Sequence, residues 1–113
     1  HVIILSGHGY SLLWSEGSKK EKFDWDAGSM VVPPDRWFHQ HFNTGKEPAR
    51  YLALRWGSRK FSTAIEEEKL AKSLKLGGDQ IEYEDEDEEV FALFKGECDK
   101  NGVEVTWSPK IGK

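Results

Sequence analysis

The sequence predicts a mainly β protein, either a sandwich or a small barrel, with a helical extension at its C-terminal end. Short segments rich in β-branched and aromatic residues recur through residues 1–61, and turn-forming residues separate them. Their close spacing argues against a βαβ fold. The apolar residues change to helical spacing within residues 62–113. We therefore expect a β core at 1–61 and a C-terminal extension at 62–113 that packs on the same domain.

Six strands are expected in the β core. Pro33-Pro34 ends the fourth strand, because proline cannot donate a hydrogen bond to a neighbouring strand. A polar loop containing Gly45 and Pro48 joins the last two strands. The predicted strands are 2–6, 10–14, 22–25, 29–32, 37–43 and 50–56.

Two helices are predicted in the extension. The first begins at a capping-box pattern, Thr63 with Glu66, and ends at 77–78. The second begins in the acidic run 82–89, since acidic residues are favourable at a helix N-terminus, and Asn101-Gly102 ends it. A short strand is expected between them at 80–84. The apolar residues of the second helix are Val90, Phe91, Phe94 and Cys98.

Charge and composition exclude several classes of protein. The net charge of −4 divides into +3 for residues 1–61 and −7 for residues 62–113, which argues against a basic nucleic-acid binder. Every apolar run is far shorter than the ~20 residues of a membrane span. A single cysteine, Cys98, cannot form an internal disulfide, so we expect a reducing, cytoplasmic location.

The first residues of the chain do not have the pattern of a native N-terminus. His1 leads directly into a β-branched strand, with no basic leader and no signal-peptide cleavage site. We therefore expect sequence to precede His1 in the natural protein. The alternative is a trimmed terminus from which nothing is lost.

Residues 37–43 carry the most informative chemistry. In a strand the odd-numbered residues share one face, so His39 and His41 lie together with Cα atoms ~6.6 Å apart. Two imidazoles at that separation can converge on one iron, zinc, manganese or nickel ion. The alternative is a pair of histidines that are hydrogen-bonded in a polar pocket or exposed to solvent.

Residues 28–43 resemble the second motif of the cupin superfamily. That motif has glycine, proline, glycine, histidine and asparagine at fixed spacing, and Gly28, Pro34, His39 and Asn43 match it. Arg36 stands in place of the second glycine, in a turn where glycine usually supplies a positive φ.

The first strand ends in a way that is similar to the first cupin motif. Gly7 resembles the glycine that closes that motif, seven residues after its glutamate. The resemblance therefore implies that two histidines and the glutamate, three of the four usual metal ligands, lie upstream of His1.

The resemblance implies a cupin-like jelly-roll or small β-barrel without its N-terminal strands, and it makes His39 the metal ligand. His41 would face the same interior as a further metal ligand, as a hydrogen-bond donor to a metal ligand or as a substrate contact, whereas Asn43 would tie a loop. We predict His39 and His41 as metal-binding residues. The predicted substrate-binding residues are Trp37, Tyr10 and Arg55, with rim packing for Trp37 and solvent exposure for Arg55 as alternatives.

The function implied by the resemblance is that of a metal-dependent cupin. The expected cofactor is a divalent metal ion, iron by preference, with manganese, nickel or zinc as alternatives. A non-haem iron dioxygenase acting on a small aromatic or carboxylate substrate is the first expectation. A non-catalytic small-ligand sensor and a cupin isomerase or decarboxylase are the alternatives, so enzymatic activity stays open.

The expected partners are a small-molecule ligand and, by resemblance, a second copy of the chain in a homodimer. No nucleic-acid or membrane partner is expected. The helix that carries Phe91 and Phe94 is expected to pack on the outside of the sheet, where Phe38 and Phe42 would receive it, or on a partner subunit.

Overall fold

A computed structural model describes residues 1–54, 73 and 81–106 of the chain. It contains two three-stranded antiparallel sheets and one C-terminal helix, so the mainly β prediction is confirmed. The described residues form no closed barrel. The strands are β1 (Val2–Ser6), β2 (His8–Trp14), β3 (Glu21–Asp26), β4 (Met30–Val31), β5 (Phe38–Asn43) and β6 (Arg50–Ala53).

The strands fall at the predicted places, with differences at their ends. β1 has the predicted bounds, but β2 begins at His8, so Gly7 alone separates the two strands. β4 is shorter than expected and spans two residues. β6 ends at Ala53, and positions 55–56 of its prediction lie outside the described residues.

Sheet I has the strand order β4-β1-β6, and sheet II has the order β3-β2-β5. In sheet II, β2 pairs along its length with β3 on one side and with β5 on the other. Residues that pair directly across antiparallel strands project from the same face of the sheet. The central strand β2 therefore determines which side chains of β3 and β5 share a face.

The two sheets face each other across one buried hydrophobic cluster. Sheet I contributes Val2, Ile4 and Val31, and sheet II contributes Leu13 and Trp25. Side chains on this side of each sheet are called inner, and those on the opposite side are called outer.

The outer face of sheet II is covered by aromatic stacking and by the C-terminal part of the helix. The ring of Phe42 stacks on Tyr10 at 4.9 Å between centroids, and Phe94 of the helix lies 5.6 Å from Phe42. The Lys22 ammonium lies 3.3 Å from the Glu97 carboxylate on the helix. The prediction that Phe42 receives the helix is confirmed. Phe38 stacks on Trp14 on the same face.

The predicted second helix is confirmed as α1 (Glu88–Lys100). It begins with acidic residues and ends as the sequence predicts, with Gly102 at φ 69°. The Val103 N–H donates to the Cys98 carbonyl at 2.9 Å, and the Gly102 N–H donates to the Asp99 carbonyl at 3.2 Å. This pair of bonds is a Schellman motif, which satisfies carbonyls at the helix end. Cys98 is buried.

The prediction of a strand at 80–84 is wrong for the described residues 81–84. A short 3-10 helix forms at Tyr83–Asp85 instead. Consecutive acidic side chains fit a strand poorly, and the Asp85 N–H bonds the Glu82 carbonyl at 3.0 Å instead. The helix expected at 63–76 lies outside the described residues except for Ser73, which forms an isolated β-bridge.

The chain divides into two compact units, one made of 1–54 and 94–104 and the other of 55–93 and 105–113. The domain boundary expected at residues 61–62 lies outside the described residues. Within the described ranges, no helix has the length and apolar character needed to cross a membrane.

Candidate functional site

The two histidines of β5 lie on the inner face of sheet II. In the strand register, Ser11 is paired with His41 on one side and with Phe23 on the other. These three side chains therefore form a row across the sheet. Ser11 at the centre of the row is 0% exposed, whereas His41 at its end is half-buried.

A chain of hydrogen bonds fixes one edge of the His41 ring. The Trp25 Nε1–H donates to the Ser11 Oγ at 3.0 Å, and the Ser11 Oγ lies 2.6 Å from the His41 Nδ1. Gly9 makes room for the indole, because a Cβ at that position would lie 2.7 Å from the Trp25 ring. The Ser11 contact occupies Nδ1 and leaves Nε2 as the ring nitrogen available for another partner.

His39 lies beside His41 and is exposed. The centroids of the two rings are 5.3 Å apart, and the rings are tilted by 45°. Tyr51 of β6, in sheet I, approaches His41 from the opposite side of the sandwich, with 5.7 Å between ring centroids. The site therefore draws side chains from both sheets.

Burial lowers the pKa of His41 below its ordinary value, and the neighbouring His39 lowers it further. A lowered histidine pKa favours the neutral ring, which is the form that binds metals. Within the described part of the chain, no group of three or more His, Cys, Asp or Glu side chains is arranged to hold a metal ion. The described residues thus offer a pair of histidines at this position.

The other predicted site residues have different surroundings. Trp37 is half-buried and packs against the hydrophobic cluster between the sheets. Tyr10 is 1% exposed on the outer face of sheet II, where it stacks on Phe42. Because β2 alternates its faces, Tyr10 points away from the histidines, and the structure does not bring it to their side of the sheet. Arg55 lies outside the described residues.

Asn43 ties a loop, as the sequence predicts. Its Nδ2 donates to the Glu47 carbonyl at 2.9 Å, and its Oδ1 accepts the Gly45 N–H at 3.0 Å. Both bonds lie within the turn that follows β5. Asn43 therefore holds the end of the strand that carries the histidines.

Sequence reasoning missed Ser11 and Tyr51 as residues of this site. Ser11 could have been noticed as the one small polar side chain in the buried segment 9–14. Its pairing with His41 depends on the register of β2 and β5, two strands that are distant in sequence. The contact of Tyr51 depends on how the two sheets face each other, which the local sequence does not encode.

Comparison with protein-family models, with curated proteins and with solved structures found no match for the chain.

Proposed function

We propose that this chain is a metal-dependent cupin-type protein in which His39 and His41 bind one divalent metal ion. The observation that carries the proposal is the placement of both rings on one sheet face, 5.3 Å apart, with the Nδ1 of His41 already hydrogen-bonded. A histidine bound to a metal characteristically uses its second nitrogen for such a bond. The lowered pKa of His41 favours the same neutral ring.

The spacing of the two rings fits a shared ion. A nitrogen ligand at ~2.1 Å places its ring centre about 3.2 Å from the metal, so two rings at roughly tetrahedral angles lie about 5 Å apart. The observed 5.3 Å between centroids agrees with that value. Imidazole suits iron, zinc and nickel, and we propose iron as the preferred ion.

The turn before β5 supports the cupin-type assignment. Arg36 in this turn has φ 64° and is the one non-glycine with a positive φ among the described residues, and Gly28, in the turn before β4, has φ 91°. Position 36 corresponds to the second glycine of the cupin motif that residues 28–43 resemble. A left-handed backbone at this position is what the motif glycine would supply.

A small aromatic or carboxylate compound is the proposed substrate, and dioxygenation is the proposed reaction. A divalent iron, when bound, supplies open positions for O₂ and a chelating substrate. The residues of the chain contribute the two imidazoles and an apolar wall. Tyr51, at 49% exposed, lies 5.7 Å from His41, and Phe23, at 47% exposed, lies beyond Ser11 on the same inner face as His41; both leave ring surface for a ligand.

The second candidate is a non-catalytic protein that binds a small ligand. The half-exposed rings of Tyr51 and Phe23 favour it, because exposed aromatic side chains around a polar group are typical of ligand sites. In this alternative His39 and His41 would contact the ligand through hydrogen bonds.

Metal titration of the full chain separates the two candidates. Fe(II), Mn(II), Ni(II) and Zn(II) are titrated anaerobically by calorimetry into the wild type, His39→Ala and His41→Ala. The matched controls are His8→Ala and His1→Ala, which remove the other two of the four histidines. The proposal predicts that only the β5 substitutions weaken binding, by about ten-fold or more.

Equal affinities in all four variants would contradict the metal site. Unchanged binding of aromatic acids in His39→Ala, together with no specific metal binding by the wild type, would favour the non-catalytic candidate. O₂ uptake by the iron-loaded protein with an aromatic acid tests the dioxygenase reaction separately.

A further inference from the structure

We propose that Ser11 is the positioning residue of the metal site and that it holds His41 with Nε2 directed at the ion. This inference rests on the proposed function, in which His41 is a ligand. It assigns a role to a buried hydroxyl on β2 that is not among the positions matched to the cupin motifs.

The Ser11 hydroxyl can form a hydrogen bond with His41 in two ways. An indole N–H can only donate, so the Trp25 Nε1–H takes one lone pair of the Ser11 Oγ. The hydroxyl keeps a second lone pair and its own proton. It can therefore accept from a protonated Nδ1 of His41, or donate to an unprotonated Nδ1.

The two arrangements leave opposite states at Nε2 of His41. When Nδ1–H donates to Ser11, Nε2 carries a lone pair that can bind a metal ion. When Ser11 donates to Nδ1, the proton lies on Nε2 and prevents coordination. Metal binding therefore selects the first arrangement, and rotation of the Ser11 hydroxyl preserves the hydrogen bond in both.

The position of Ser11 within the sheet holds its hydroxyl against His41. Ser11 lies in the central strand of sheet II and is paired on both sides, with Phe23 in β3 and with His41 in β5. Its side chain is 0% exposed, so solvent does not compete for the hydroxyl. The 2.6 Å contact with Nδ1 thus fixes the plane of the His41 ring before any ion arrives.

The test compares Ser11→Ala, which removes the hydroxyl, with Ser11→Thr, which keeps it. Trp25→Phe is the matched control, because it removes the indole N–H and leaves the Ser11–His41 contact in place. Zn(II) affinity is measured by calorimetry for each full-length variant. We expect Ser11→Ala to bind Zn(II) about 10- to 100-fold more weakly, and Ser11→Thr to recover most of the loss. Trp25→Phe should remain within about three-fold of the wild type.

The tautomer of His41 in the wild type is the second readout, and it does not require any variant to fold. Nitrogen-15 chemical shifts of the imidazole distinguish a proton on Nδ1 from one on Nε2. With Zn(II) bound, the proposal predicts a proton on Nδ1. A proton on Nε2 of the zinc-loaded protein would overturn the role of Ser11.

The outcomes distinguish this inference from the proposed function. Zinc binding that depends on His41 but is unaffected by Ser11→Ala overturns the role of Ser11 alone. The absence of any histidine-dependent zinc binding in the wild type overturns both proposals.

Discussion

The two faces of sheet II come from the same three strands but differ in burial beside the edge strand β5. On the outer face, Tyr10 is buried and stacks on the ring of Phe42. Phe94 of α1 contacts Phe42 in turn. On the inner face, His39 is exposed and His41 is half-buried. Alternation along β2 and β5 therefore separates two tasks by a single residue step. The outer residues stabilise the fold, as Leu13 and Trp25 do on the inner face, whereas the inner side chains of β5 keep exposed surface.

The largest expected difference between the faces is in stability. Tyr10→Ala removes a ring that is 1% exposed, and it should lower the free energy of unfolding by about 3–5 kcal/mol. His39→Ala removes an exposed ring and should change the free energy of unfolding by less than about 0.5 kcal/mol. Urea unfolding followed by tryptophan fluorescence measures both values. Equal losses for the two variants would contradict the division of tasks between the faces.

Arg36→Gly should stabilise the turn that leads into β5. Arg36 has φ 64°, a left-handed backbone that costs a non-glycine residue energy and glycine almost none. After the greater chain entropy of glycine in the unfolded state is subtracted, we expect a gain of about 0.5–1 kcal/mol. Thermal unfolding reports the gain, with Asp35→Gly next to it as a control. A loss of stability in Arg36→Gly would mean that the arginine side chain outweighs the backbone conformation.

The pH dependence of the free energy of unfolding should report the protonation of His41 on the inner face. Burial and His39 lower the pKa of His41 in the folded protein, so below about pH 6.5 the unfolded chain binds more protons than the folded chain. The contribution of His41 to stability is therefore complete above pH 6.5. It is lost as the pH falls from there through the folded-state pKa. Unfolding free energies of the wild type and His41→Gln between pH 5 and 8 should converge at the acidic end.

The ion pair that joins β3 to α1 on the outer face should have the smallest effect. Lys22 and Lys100 lie 3.3 and 3.1 Å from the Glu97 carboxylate, and these charges lower the pKa of that carboxyl. Both lysines are partly exposed, so solvent screens the pairs. Glu97→Gln should cost about 0.5 kcal/mol in low salt and less in 1 M salt. A loss of several kcal/mol would show that the outer face depends on charge as much as on its aromatic rings.

Local patterns predicted most of the secondary structure. β1 has its predicted bounds because a β-branched run leads directly to a glycine, and α1 ends at Asn101-Gly102 because glycine accepts the required positive φ. The expected strand at 80–84 was wrong because its apolar residues were outweighed by acidic neighbours. These features depend on residues that are close together in the chain.

The candidate site was predicted only in part. Strand alternation placed His39 and His41 on one face, and they lie there, since their rings are in contact. The same alternation applied to β2 could not place Tyr10, because the direction in which β2 faces depends on its register with β5. Ser11 and Tyr51 reach His41 through strand pairing and sheet packing, which are long-range properties.

A nitrogen-15 titration of all four histidine side chains with Zn(II) tests the central claim most directly, because it observes each ring separately. If His39 and His41 share one ion, the ring-nitrogen signals of both residues should move together and reach their end point at one equivalent. The signals of His8 should stay in place, because its partner across the strands is Asp26 and not a second histidine. Shifts at His8 alone, or separate end points for His39 and His41, would contradict a shared metal site.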